Sequence, residues 1–517
     1  LATSPHPVSI VVVDRPARPR VLARRSLAAA LALLLACNGD DAATATLTDA
    51  DTDTVATTGD ATSTADATAT TDLTETTDAT DTASELDLLE LLRAIDGMEA
   101  EELASPAPGI RLFALTFLQP SDHDDPRAPW FAQRLTLRHR DRAAPMVLST
   151  SGYGLPDRKS YAEPTLLLET NQLAVEQRFF GPSRPEPADW THLTIAQAAA
   201  DHHRIIEALR PLYGAPWLST GASKGGMTSI YHRRFYPGDV AATLAYVAPH
   251  SLAEQDPRYT PFIDAIPAPP GCAEALKALQ IEALKRRDAL TALLGDHAAT
   301  ERLTFDRIGL ARALEFAVLE LRFTFWQYGG PADCPSIPAP SDSDLDLFDY
   351  IDSVVPWAFF ADDVIDYYEP YFYQAAHQLG APAIDEAHLG DLRAFPGEDA
   401  PAAYLQPGLS VIYDPAAMQD ISDWLSGGQG SGATRIILVY GAWDPWTAAP
   451  FPFPDATESY VYTVEGGNHG AQLRALPEAE QAAALAHLRA WLGLPERAQA
   501  APLPRDHSPP ERRPFLP

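Results

Sequence analysis

The sequence predicts an α/β fold: a mostly parallel sheet flanked by helices, with a helical cap inserted before its last strands. Three observations predict it. Short buried-strand segments alternate with helical ones between residues 145 and 247. A Gly-x-Ser-x-Gly pattern, Gly221-Ala222-Ser223-Lys224-Gly225, lies between one such strand and the following helix. Strand patterning then lapses over residues 258–420 and resumes at 435.

Before this body the chain carries a leader. Arg15, Arg18, Arg20, Arg24 and Arg25 precede the apolar run 27–36, the layout of a secretory signal and too short for a spanning helix. Leu34-Leu35-Ala36-Cys37 resembles a bacterial lipobox, in which Cys37 would be lipidated and become the mature first residue. A plain signal peptide with an incidental cysteine is the alternative. Residues 38–86 are mostly Thr, Ala and Asp, with neither Lys nor Arg. Such a segment cannot bury enough apolar surface to offset its chain entropy and is expected to be an acidic, self-repelling tether. The expectation is an exported protein, lipid-anchored in the bacterial envelope or secreted.

The formal charge of -32 argues against nucleic acid or an anionic membrane surface as a partner, leaving an N-terminal lipid as the expected membrane contact. With three cysteines, Cys37, Cys272 and Cys334, neither a disulfide-dense scaffold nor a thiolate metal cluster is expected. No His, Asp or Glu spacing suggests a metal, and no cofactor is expected. With Cys37 lipidated in an oxidising compartment, Cys272 and Cys334 are expected to form a disulfide; two buried thiols are the alternative.

Within the body, residues 86–96 read as a short helix, and 110–118 and 131–137 alternate like an antiparallel strand pair. Segments 145–150 and 173–180 read as strands. Thr194, with Gln197 three residues on, opens a helix that runs to Pro211. The elbow strand, a helix over 227–235 and a buried strand over 240–247 follow. Helices over 273–294 and 304–325 dominate the cap. Strands at 435–440 and 459–463 and a helix over 477–492 close the body. The expected catalytic domain is therefore 87–257 with 421–495, the cap 258–420, and 496–517 a polar tail.

Gly-x-Ser-x-Gly has a mechanical reason. A serine held on a sharp strand-to-helix turn has a strained backbone, so its neighbours two residues away must lack bulk, and the next N–H points at a developing oxyanion. This is the nucleophile elbow of an α/β-hydrolase, whose acid and base follow in that order on loops after late strands. Tyr440-Gly441-Ala442-Trp443-Asp444 and Gly466-Gly467-Asn468-His469 fit those places. Ser223 would attack a carbonyl, His469 would carry its proton to the leaving group, and Asp444 would fix the imidazole. The N–H of Lys224, with that of Gly152 or Tyr153, would bind the oxyanion. His250, His202 and His203 compete with His469 as base, and Glu465 competes with Asp444 as acid. Taken singly, each triad member could be an ordinary turn or loop residue.

With these residues in place, the chain resembles peptidase family S37, secreted bacterial serine peptidases that include prolyl tri- and tetrapeptidyl aminopeptidases. The resemblance lies in residues 219–228, in Tyr231-His232-Arg233-Arg234-Phe235-Tyr236-Pro237, and in Ala245-Tyr246-Val247-Ala248-Pro249. Glu176-Gln177-Arg178-Phe179-Phe180-Gly181 and Phe325-Trp326-Gln327-Tyr328-Gly329-Gly330 extend it. It implies peptide substrates with a free N-terminus, cut often after proline. Such an enzyme needs a carboxylate for the substrate ammonium and an apolar slot for proline. Glu176 leads the first set, ahead of Glu169, Asp362, Asp363 and Glu369; Trp326, Tyr328, Trp357 and Tyr373 form the second. An esterase or lipase with the same triad, marked by an aliphatic cap without an acid near Ser223, is the rival reading. An inactive surface binding protein on a hydrolase fold is another.

Overall fold

The computed structural model describes residues 88–496 except 106, 157–159, 385, 428–432 and 454–457. The expected signal, Cys37, the whole tether and the tail from 497 onward lie outside the described residues.

Nine strands form one sheet: β1 (Met98–Leu103), β2 (Arg111–Pro120), β3 (Trp130–His139), β4 (Met146–Thr150), β5 (Asn171–Val175), β6 (Trp217–Ala222), β7 (Ala242–Tyr246), β10 (Ile436–Gly441) and β11 (Tyr460–Val464). β8 (Gln255–Asp256) and β9 (Ala381–Pro382) form a separate two-residue pair. The order across the large sheet is β1-β2-β3-β5-β4-β6-β7-β10-β11. From β5 to β11 every pairing is parallel, whereas β1, β2 and β3 add antiparallel strands at one side. β4, β5, β7 and β10 are buried along their whole length, as strands covered on both faces must be. One face packs Ile205, Ile206 and Leu209 of the Ile195–Leu209 helix against Leu148, Leu173 and Trp217. Elsewhere Ala484 and Leu488 of the Glu478–Trp491 helix pack on Leu218, Leu244 and Val439. This is an α/β-hydrolase fold.

Several elements differ from the sequence reading. β1 was not expected, because Met98-Glu-Ala-Glu-Glu-Leu103 lacks apolar alternation; as an edge strand it needs only one apolar face, and its charges blunt an open edge. The strand expected to reach residue 180 ends at Val175. Beyond it Phe179 takes a positive φ of 70°, and the buried Arg178 turns inward to grip Asp201 with two bonds of 2.7 Å. Thr194 Oγ1 caps the following helix by accepting from the Gln197 N–H at 3.2 Å, but the Gln197 side chain reaches Asp122 instead of closing a capping box.

Between β7 and β10 the chain is mainly helical. The expected helix 273–294 is two, Cys272–Lys285 and Arg287–Glu301, parted at Arg286 (φ -96°, ψ 22°). The Leu310–Tyr328 helix is the axis of this region, burying Phe316, Leu319, Phe323 and Trp326 in a core shared with Leu276, Leu294 and Ile351. Cys272 and Cys334 form a disulfide closing a separation of 62 residues. Among the described residues no helix is long and apolar enough to cross a membrane.

Candidate active site

Ser223 follows β6 with φ 54° and ψ -128°, a conformation that costs a non-glycine residue about 1–3 kcal/mol and persists only where its surroundings enforce it. They do. The Ser223 N–H donates to Tyr246 O at 2.9 Å, and Ser223 O accepts from the Met227 N–H at 3.0 Å in the helix Lys224–Phe235. A Cβ on Gly221 would lie 2.4 Å from backbone atoms of Gly225, and one on Gly225 would lie 2.6 Å from Thr150 O. Both glycines are therefore obligatory, and the first helical turn sits hard against the end of β4.

Asp444 follows β10 and His469 follows β11, two strands paired in parallel, so both loops leave the same edge of the sheet as the elbow. The loops are stitched together: the Trp443 N–H donates to Gly467 O at 2.8 Å. His469 Nδ1 and Asp444 Oδ2 are 2.8 Å apart, while Asp444 Oδ1 accepts from the Trp446 N–H at 3.1 Å. The histidine loop is also tied to the cap, its own N–H donating to Gln327 O at 3.0 Å. His469 Nε2 is buried and has no hydrogen-bond partner, so it is not bonded to Ser223 Oγ here.

Ser223 opens into a cavity of about 200 Å³ roofed by the cap. Tyr328 and Trp446 line it and flank the His469 ring at 6.0 and 6.2 Å between centroids. Tyr153 lies at the serine end, edge-on to Tyr368 at 5.6 Å and to Phe180 at 5.7 Å. The ammonium of Lys224 is buried with no carboxylate partner among the described residues. It donates to Gly152 O at 2.5 Å and lies 5.3 and 5.4 Å from the Tyr153 and Phe180 ring centroids. Burial pushes it down to about 7.

The oxyanion expectation needs adjustment. The Tyr153 N–H is already given to Ser151 Oγ at 2.9 Å within a turn that Ser151 closes on Gly154 O. This leaves the Lys224 N–H, at the open first turn of its helix, and that of Gly152, which packs against the Lys224–Gly225 backbone.

Glu176 does not reach the cavity. Fully buried, it takes two bonds from Arg134, at 2.9 and 2.5 Å, one from Ser183 Oγ at 2.5 Å and one from the Leu155 N–H at 3.0 Å. Every lone pair that could meet an ammonium is committed to holding the loop after β4. Trp326 also points elsewhere, packing edge-on against Trp443 at 5.9 Å. Of the aromatics expected in the slot, Tyr328 alone lines the cavity.

The rival bases are engaged apart from it. His250 meets Ser422 Oγ at 2.7 Å, His203 is bonded to Asp239, and His202 is buried 5.7 Å from the His232 ring. Burial pushes His250 down to about 4 and His202 to about 3. Glu465 is exposed. His203, Glu207 and Asp239 come close enough to share an ion, but Asp239 already bonds His203 and His232, and Arg210 pairs with Glu207 and Asp239.

Two carboxylates that the sequence reading passed over do line the cavity, Glu320 and Asp399. Glu320 shares one face of the Leu310–Tyr328 helix with Phe323, Thr324, Gln327 and Tyr328, a spacing visible in the sequence once that face is known. Asp399 sits in a loop with no periodicity to mark it.

A prolyl tri/tetrapeptidyl aminopeptidase of Streptomyces mobaraensis is 39% identical over 419 residues, 80% of this chain and 87% of its own. Among solved structures, VinJ aligns at 14% identity and a TM-score of 0.33, over 76% of this chain and 98% of its own. The peroxisomal alpha-beta-hydrolase Lpx1 of Saccharomyces cerevisiae aligns at 12% and 0.29, over 78% and 92%. The model of the PS-10 peptidase S37 family matches residues 82–509, and the chain belongs to that family of peptidases.

Proposed function

We propose that the chain is a serine aminopeptidase that releases short peptides from a free N-terminus, preferring proline before the cut, through Ser223, His469 and Asp444. The observation that carries this reading is the His469–Asp444 bond, on the sheet edge from which the strained Ser223 rises. Ser223 Oγ attacks the scissile carbonyl carbon as His469 Nε2 takes its proton. The oxyanion is held by the N–H groups of Lys224 and Gly152. Collapse expels the amine, which receives the proton from His469, and water then repeats the sequence to free the acyl group. The absence of an Nε2 bond to serine fits a site that tightens once substrate is bound.

Lys224 has a supporting part. By donating to Gly152 O it fixes the peptide plane beside the oxyanion site, and its burial between two aromatic rings keeps it there. Tyr153, Tyr368 and Tyr371 cluster with ring separations of 5.6 and 5.8 Å, a surface suited to a pyrrolidine ring. An esterase would be expected to line its cap with aliphatic groups; this lining is richer in aromatic than in aliphatic side chains and holds two acids. The disulfide supports an oxidising, extracytoplasmic destination. The test is a cleavage profile on a peptide library with free and with acetylated N-termini. The reading expects cuts only in the free set, enriched after proline; equal cutting of both removes it.

A further inference from the structure

Glu320 and Asp399 face the same cavity as Ser223. Glu320 has no hydrogen-bond or ion-pair partner among the described residues. Asp399 accepts from Tyr404 Oη through Oδ1 at 3.0 Å, while its Oδ2 is buried without a partner. Two carboxylates in an aromatic enclosure, close enough to feel each other's charge, are unfavourable as they stand. Burial first pushes both upward; Asp399 and then Glu386 add to the shift of Glu320, and Glu315 adds to that of Asp399. Arg393 and the Tyr404 hydroxyl pull Asp399 the other way. Other buried acids nearby are committed: Glu315 takes Arg287 and two backbone N–H groups, and Glu386 takes Arg322.

The helix that carries Glu320 also gives a distance. Its C-terminal end meets the histidine loop, through the His469 N–H on Gln327 O and the Tyr328 ring beside the imidazole. Glu320 lies seven residues earlier on the same face, which at about 1.5 Å per residue is roughly 10 Å along the axis. An extended peptide advances about 3.3–3.6 Å per residue, so three residues cover that span.

Resting on the aminopeptidase reading above, we infer that Glu320 and Asp399 bind the α-ammonium of the substrate, and that the spacing between Glu320 and the histidine loop measures off three residues before the cut. A cation seated between them would satisfy the free oxygen of Asp399 and both oxygens of Glu320. A dipeptide would fall short of the pair, and a fourth residue fits only by bending.

The experiment uses the full chain and four probes, Ala-Pro-, Ala-Ala-Pro-, Ala-Ala-Ala-Pro- and acetyl-Ala-Ala-Pro-p-nitroanilide. The wild type is expected to favour the free tripeptide, with lower kcat/KM for the dipeptide and the acetylated probe. In Glu320→Gln and Asp399→Asn the preference for the free over the acetylated tripeptide should fall by roughly tenfold to hundredfold, mainly through KM. Labelling of Ser223 by a fluorophosphonate reports separately on the hydrolytic machinery and on folding of each variant. The inference is overturned if labelled variants keep the wild-type preference for the free amine. It is also overturned if the wild type cuts the di-, tri- and tetrapeptide probes equally well, a result that needs no variant to fold.

Discussion

His469 Nδ1 lies 2.8 Å from Asp444 Oδ2, with both side chains closed off from solvent. The bond fixes the proton on Nδ1 and leaves Nε2 as the basic nitrogen, toward the cavity that Ser223 lines. Asp444 is itself held by the Trp446 N–H and by the turn it starts, so the imidazole inherits a fixed orientation.

Asp444→Asn should therefore lower kcat by about 10⁴-fold, because an amide cannot hold the required tautomer, while KM changes little. Single-turnover kinetics on Ala-Ala-Pro-p-nitroanilide check this, with circular dichroism to show that the fold persists.

Lys224 separates catalysis from stability. Its ammonium is pushed from 10.5 down to about 7 by burial, so the folded chain holds that proton less tightly than the unfolded chain. Between those values the unfolded state binds more protons, so this group's contribution to stability improves as pH rises from 7 toward 10. Below pH 7 both states are protonated and the full cost of the buried charge remains. Lys224→Met should gain stability over the wild type at pH 6 and lose that advantage at pH 10. Its kcat should fall by about tenfold or more at either pH, as the Gly152 peptide loses its anchor. Urea unfolding and initial rates at the two pH values test both halves.

Glu176 is a support for the loop after β4. Glu176→Gln leaves Arg134 without its ion pair and should cost about 2–4 kcal/mol, a buried-pair loss discounted because Arg134 is partly exposed. The preference for a free over an acetylated N-terminus should not change. Thermal unfolding and the two tripeptide probes measure these effects side by side.

The Cys272–Cys334 bond closes a long loop around the cap helices. Replacing both cysteines with serine should cost about 2–4 kcal/mol through the wider ensemble of the unfolded chain. Chemical denaturation of the oxidised and double-variant proteins reads this directly.

The sheet and elbow were legible because their physics is local. Buried parallel strands read as apolar runs, and the serine turn admits little but glycine at 221 and 225. The order of Ser223, Asp444 and His469 followed from topology. The acids that line the cavity were not legible, since Glu176 and Glu320 look alike as letters. Only packing shows that one is consumed by Arg134, Ser183 and the Leu155 N–H, while the other faces the cavity. Helices such as Asp344–Val354 and Asp362–Gln374 were obscured by flanking prolines and aromatic clusters that read as loop.

The proposed chemistry stands or falls with Ser223 as nucleophile and His469 as its base. Peptide mapping of the protein after reaction with a fluorophosphonate tests it most directly. One adduct is expected, on Ser223, formed rapidly in the wild type and slowed by orders of magnitude in His469→Ala. An adduct on another serine, or equal labelling rates in the two proteins, would contradict it.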